Sequence, residues 1–188
     1  METINVQKRN FNLKAKKMRR LGLVPGNVFG KSLQDPISIQ MEESVARRLI
    51  RLNREGSKVV MNIEGQTMPV QIKEKSLNRV NDEILNISFQ ALSANEKVNS
   101  VIHIIVVNDA KIQGVVEKMQ LEIPYTSLPK YMIDTITIDV DGMKAGNVIT
   151  VGEIPELQSD KIELQVDPDN IVLRISEKQN NALEAVEG

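Results

Sequence analysis

The charges of this chain are not mixed along its length. Residues 1–90 carry 16 lysines and arginines against 9 aspartates and glutamates, and residues 91–188 carry 8 against 16. The net charge of −1 over 188 residues therefore conceals a basic half of +7 and an acidic half of −8. Such sorting argues for two units, only one of them attracted to polyanions. The length allows two small domains. At 41% hydrophobic and 26% charged residues, the balance is that of a soluble globular protein able to bury a core. Within the basic half, Lys8, Arg9, Lys14, Lys16, Lys17, Arg19 and Arg20 lie in thirteen residues. A run of this kind is either a polyanion contact or an ordinary solvated face.

Hydrophobic spacing supplies the elements. Ile4 and Val6 open a short strand. Asn12 has the character of an N-cap for a helix over residues 13–21, closed by Gly22. Residues 23–30 are apolar but broken by Pro25, Gly26 and Gly30, which predicts an irregular loop feeding a strand. Ile37, Ile39 and Met41 alternate as in a strand, and Val45, Ala46, Leu49, Ile50 and Leu52 recur at helical spacing within residues 42–54. Residues 58–63, Glu64-Gly65 and residues 68–72 read as a hairpin, and residues 84–89 supply a further strand. The first half is thus a small α+β unit. A short polar segment, residues 91–96, marks the boundary.

The second half is mainly β. Strands are expected over residues 101–107, 136–140, 162–166 and 171–175, with turns at Asn108-Asp109, Asp141-Gly142 and Asp167-Pro168-Asp169-Asn170. The division expected is residues 1–92, residues 93–178 and a frayed tail over residues 179–188.

Most chemistry is excluded by the residue inventory. Without cysteine there is no disulfide, thiolate metal site or cysteine nucleophile, and a single histidine, His103, leaves little of triad or metal chemistry. His103 should face opposite to Ile102 and Ile104, and a lone histidine of this kind is structural. Gly26-Asn27-Val28-Phe29-Gly30-Lys31-Ser32 is not a P-loop: three residues separate its glycines where four are needed, and Pro36 disfavours the following helix. Asp167-Pro168-Asp169-Asn170 is not an EF-hand, because Val172 and Lys178 occupy the glycine and glutamate positions. Asp139 and Asp141 share a strand face with no pocket around them. No apolar run approaches the roughly 18 residues of a membrane span, and the amino terminus lacks the apolar stretch of a secretory signal. The expectation is a cytoplasmic protein, not an enzyme, with no cofactor and no metal. Aromatic residues are only 3% of the chain, so a nucleic-acid contact should read backbone and shape of a folded duplex.

The motifs also carry a resemblance. Arg19-Arg20-Leu21-Gly22-Leu23-Val24-Pro25-Gly26-Asn27-Val28-Phe29-Gly30-Lys31 resembles the signature of the bacterial large-subunit ribosomal protein family that binds 5S ribosomal RNA. That signature is a basic helix, then Gly-x-Val-Pro and an aromatic-Gly pair. Leu128-Pro129-Lys130 and Ile136-Thr137-Ile138-Asp139-Val140-Asp141-Gly142-Met143-Lys144-Ala145-Gly146-Asn147 continue it into the family's two-domain form, known as general stress protein Ctc. The resemblance implies an α+β N-terminal domain, a small β-barrel-like sheet with helices, followed by a mainly β C-terminal domain. It implies 5S ribosomal RNA and the large ribosomal subunit as partners. By position, Lys16 and Lys17 stand for a family arginine pair, and Lys8, Arg19 and Arg79 match further basic positions.

The candidate RNA-binding set is Lys8, Arg9, Lys14, Lys16, Lys17, Arg19, Arg20 and Arg79. Lys73 and Lys75 with Arg79 form a candidate second line, and Arg47, Arg51 and Arg54 a candidate helical face. The chain departs from the family pattern in several places. Phe11-Asn12-Leu13 replaces Gly-Lys-Gly, Val80 and Asn86 replace two histidines, Ser88 replaces an aspartate, Phe29 a tyrosine and Ile133 a proline. These departures define the alternative: a divergent stress-protein relative that has lost 5S binding and acts through protein contacts of its acidic β-domain.

Overall fold

The computed structural model describes residues 3–178; the expected frayed tail, residues 179–188, lies outside them. The described chain is mostly β with two α-helices. It divides into two compact units, Met1–Val101 with Thr126–Asp134, and Ile102–Tyr125 with Thr135–Gly188.

The first unit is built on a closed six-stranded barrel. Its strands are β1 (Thr3–Lys8), β2 (Leu23–Phe29), β3 (Ile37–Glu42), β4 (Lys58–Ile63), β5 (Gln66–Asn78) and β6 (Glu83–Ala91), in the order β1-β3-β2-β6-β5-β4. Closure uses two parallel pairings, β1 with β4 and β2 with β6; the other neighbours are antiparallel. Alternation aims every second residue inward, so Ile4, Val6, Val24, Val28, Ile39, Met41, Val59, Met61, Ile63, Val70, Ile72, Ile87 and Phe89 fill one core. Each fully buried aliphatic side chain of this kind contributes about 1.5–3 kcal/mol. Between β3 and β4 runs α2 (Glu43–Leu52), whose Ala46 and Leu49 join that core.

Two local expectations fail, each for a physical reason. The expected irregular loop over residues 23–30 is instead the whole of β2, with Pro25 and Gly26 opposite Gln40 and Ile39 of β3. Gly26 is there because the barrel closes against it. A Cβ at this position would lie 2.7 Å from the Ile87 carbonyl oxygen and 3.2 Å from the Ile39 side chain. Local propensity penalises Pro-Gly in a strand, whereas close approach of β6 demands a residue without a side chain. The second failure is the helix start: α1 spans only Ala15–Arg20, with Lys14 at the N-cap and no side-chain cap. Asn12 does not cap it. Its N–H donates to Asn10 Oδ1 at 3.0 Å, so residues 10–12 form a turn that competes with helix. The helix does end as expected, before Gly22 at φ +73°.

The first compact unit runs beyond residue 92. Gln71 Nε2 donates to Ser100 Oγ at 2.9 Å and to the Asn99 carbonyl at 3.2 Å, and Ser100 Oγ donates to the Gly56 carbonyl at 3.3 Å. The second unit is β-rich. β7 (Val98–Val107) continues into it and pairs in parallel with β10 (Thr135–Asp139). β9 (Glu122–Ser127) and β12 (Ile162–Leu164) complete a sheet of order β10-β7-β9-β12. β8 (Val115–Lys118), β11 (Val148–Thr150) and β13 (Ile171–Ser176) form an antiparallel sheet of order β11-β13-β8. Ile112, Val140, Leu173 and Ile175 make a core cluster here. No helix of the described residues is long and apolar enough to cross a membrane.

Substituting Gly26→Ala tests the closure. The added methyl meets backbone on one side, so the expected loss is about 1–3 kcal/mol. Urea denaturation of the full chain reads it, and an unchanged midpoint would show that β2 does not lie so close to β6.

Candidate nucleic-acid interface

The basic run is distributed over β1, a turn and α1. Within α1, 100° per residue places Lys16, Lys17 and Arg20 on one face. All three are exposed, as is Lys14 at the N-cap, whereas Met18 on the opposite side is fully buried. No acidic residue occupies the first turn, and Lys17, Arg19 and Arg20 complement the dipole in the last. Arg19 stands apart: its Nε donates to Glu83 Oε1 at 2.9 Å and its side chain is only 17% exposed. That bond ties the helix to the start of β6 and pulls the Glu83 carboxyl below its ordinary pKa, chiefly through the Arg19 hydrogen bond, with Lys16 adding a smaller attraction.

The remaining candidates are placed as follows. Lys8 is exposed, with Nζ 3.7 Å from Glu64 Oε2, a solvent-screened pair. Arg9 is half-buried, and its guanidinium lies 5.9 Å from the Phe11 ring centroid. Arg79 is exposed on the turn between β5 and β6, four residues before the Glu83 that holds α1. The structure therefore places Lys16, Lys17 and Arg20 on one exposed face with exposed Lys14 at the N-cap, and bonds the same helix to Glu83, four residues after Arg79.

The other basic groups are more engaged than their spacing suggests. Lys75 is half-buried and donates from Nζ to the Asn53 carbonyl; burial lowers its pKa. Lys73 is exposed and donates to the Asn99 carbonyl at 3.1 Å. Arg47 pairs with Asp82 Oδ2 and Glu43 Oε1, each at 2.8 Å, and its pKa is raised chiefly by the Asp82 hydrogen bond. Arg54 lies beyond α2, which ends at Leu52, so it does not share a helical face with Arg47 and Arg51. Arg47, Arg48 and Arg51 instead line a cavity of about 400 Å³ with Ile50, Leu77 and Ile84.

Two features escape sequence reasoning. The adjacent acids Asp82 and Glu83 hold α2 through Arg47 and α1 through Arg19, and no local spacing signals either pairing. Further along β6, the parallel register with β2 sets Asn27 opposite Ser88. Ser88 Oγ donates to Asn27 Oδ1 at 2.9 Å, and Asn86 Nδ2 donates to Ser88 Oγ at 3.2 Å and to Asn27 Oδ1 at 3.4 Å. These bonds link three uncharged side chains into a neutral patch.

In the second unit, His103 is buried, as are Ile102 and Ile104 on the opposite face of the strand. Its Nδ1 lies 3.7 Å from Glu122 Oε1. Asp139 accepts hydrogen bonds from Asn108 Nδ2 at 2.8 Å and the Asp141 N–H at 2.9 Å, which depress its pKa. That bonding is turn structure, and Asp167 likewise accepts from the Asp169 N–H at 3.0 Å.

Comparison with known proteins matches both halves. Residues 4–89 match the Ribosomal L25p family, and residues 97–179 match the C-terminal domain of ribosomal protein TL5. A large ribosomal subunit protein bL25 of Chlorobium phaeobacteroides is 30% identical over 184 residues, covering 93% of this chain and 88% of that protein. The chain belongs to the bL25 family. The bL25 of Akkermansia muciniphila is 28% identical over 143 residues, 74% of this chain and 71% of the relative. That of Listeria monocytogenes is 26% identical over 160 residues, 82% and 76% respectively. At these identities the chain is a divergent, two-domain member, and the architecture matches the L25–TL5 pairing of domains. The family consists of structural ribosomal proteins, so the chain is not an enzyme.

The Arg19–Glu83 pair predicts a pH dependence. A carboxylate with a depressed folded pKa stabilises fully above its unfolded value, and that contribution is lost as pH falls through the folded one. The wild-type advantage over Glu83→Gln is therefore expected to be complete at neutral pH and to shrink below about pH 4.3. Denaturation midpoints of both proteins between pH 3 and 7 (approximately, spanning the carboxylate range) measure it; parallel curves would remove the pair from the account.

Proposed function

We propose that this chain binds 5S ribosomal RNA as a cytoplasmic component of the large ribosomal subunit, or as a factor that joins it under stress. One observation carries the reading: an acid-free run over residues 8–20 folds so that Met18 and Arg19 fix α1 to the barrel while Lys16, Lys17 and Arg20 project together into solvent. Cations on a rigid element, with their counter-acids engaged elsewhere, suit the phosphates of a folded duplex. Lys14 extends the set, Lys8, Arg9 and Arg79 flank it, and Arg19 acts by positioning. Family membership supports the partner, since the relatives are named large ribosomal subunit proteins. Residues 1–92 carry the RNA contact in this reading, and residues 93–178 form the acidic domain.

A second reading is favoured by the Asn27–Asn86–Ser88 patch. Its three side chains are uncharged and hydrogen-bond to one another, so this part of the barrel face offers no cation to a phosphate. In that reading 5S binding is lost and the acidic β-domain works through protein contacts.

Titration of the full chain against folded 5S ribosomal RNA separates the two, with an unrelated duplex of equal length as competitor at two salt concentrations. The first reading expects saturable binding that survives the competitor. Lys16→Ala with Lys17→Ala is expected to weaken it and to make the plot of log affinity against log salt shallower by about 2. Binding abolished by the competitor leaves the second reading standing. An unchanged salt slope would take both lysines off the phosphates.

A further inference from the structure

The turn between β1 and α1 presents an aromatic ring to solvent. Phe11 is 77% exposed, although Phe89 is buried in the barrel core and Phe29 is half-buried. Its presentation is built. The Asn12 N–H donates to Asn10 Oδ1 at 3.0 Å and the Leu13 N–H to the Asn10 carbonyl at 3.2 Å, which makes Phe11 the tip of a closed turn. The Arg9 guanidinium sits 5.9 Å from the ring centroid, and Arg9 Nε is buried with no hydrogen-bond partner. The guanidinium thus lies at the edge of cation–π range of the ring, and among the described residues no ion pair draws it away. Lys8, Lys14, Lys16 and Lys17 surround this ring in sequence, with no acidic residue from 8 to 20.

An exposed ring inside a cationic run has two requirements of a partner: an apolar face and negative charge. Single-stranded or bulged RNA meets both, since every base has a π face and every nucleotide a phosphate. A protein pocket would have to seat the ring and accept the adjoining cations as well. We propose that Phe11, backed by Arg9, is a stacking platform for an unpaired nucleobase of the bound RNA. The platform rests on the RNA-binding reading above and adds a contact that phosphate neutralisation does not contain. Stacking with a cation behind the ring contributes apolar and quadrupolar attraction, and it needs a base freed from its pair, because a duplex hides its base faces.

The chain has no tryptophan, which makes Phe11→Trp a single-site fluorescent reporter in the full-length protein. On saturation with folded 5S ribosomal RNA, its emission is expected to be quenched and its affinity to equal that of wild type. Phe11→Ala and Phe11→Leu are expected to lose roughly five- to a hundredfold in affinity, the range for one stacked base. Leucine keeps apolar bulk without a π face. The salt slope should stay at the wild-type value in both, in contrast to the lysine variants. On a fully paired duplex the Phe11 variants should bind as wild type does. Because Phe11 lies outside the core clusters, melting temperatures are expected to be unchanged.

Unquenched emission, full affinity in Phe11→Ala, rescue by leucine, or an equal loss on the paired duplex would each overturn the platform. Should wild type itself fail to bind saturably, the RNA reading falls and the platform with it. Should wild type bind, with a shallower slope for Lys16→Ala/Lys17→Ala and unaltered Phe11 variants, the platform alone falls.

Discussion

The first unit depends on a barrel that closes through two parallel pairings. Parallel neighbours cannot be joined by a tight turn, so β1 and β4, and β2 and β6, must meet after long excursions of the chain. At the β2–β6 contact the approach is close enough that Gly26 has no room for a Cβ beside the Ile87 carbonyl. That meeting carries more than the core. It sets Asn27 beside Ser88, and it brings β6, with Glu83 at its start, to where α1 is anchored. The candidate interface is thus a consequence of closure and not of the basic run alone.

Electrostatics then sorts the cations. Asp82 and Glu83 are adjacent in sequence, yet one grips α2 through Arg47 and the other α1 through Arg19. These pairs are partly exposed, and exposed pairs contribute little stability individually. Their effect is positional: they engage Arg19 and Arg47 and leave Lys16, Lys17 and Arg20 facing outward. Lys75 is removed by burial, with its ammonium on the Asn53 carbonyl. A count of positive residues therefore overstates the number of phosphates the surface can meet.

The second unit has a different character. Its buried histidine, its Asp139–Asn108 bond and its Asp141–Lys111 pair at 3.1 Å are interior and turn structure. The family matches fall on the two halves separately, residues 4–89 and 97–179, in agreement with the change of sign in the charge. Membership of a structural ribosomal family agrees with the scarcity of reactive side chains in the sequence.

The amino-acid sequence by itself determined whatever depends on near neighbours. Period-two alternation at Ile4 and Val6 or at Ile37, Ile39 and Met41 assigned inward faces, helical spacing buried Ala46 and Leu49, and Gly22 ended α1. The basic run and the two-domain family pattern were equally readable, because charge and motif survive without a fold. Tertiary structure alone decided that Pro25 and Gly26 run straight through a strand, since the reason is the Ile87 carbonyl sixty-one residues away. It alone separated Arg19 from Lys16 and Lys17, because Glu83 lies 64 residues further on, and Arg47 from Arg51, because Asp82 lies 35 residues on. It alone showed how far Phe11 stands in solvent, at 77% exposure. Local pattern encodes which way a side chain points along its own element; which group it meets there is set by chain closure over long sequence separations.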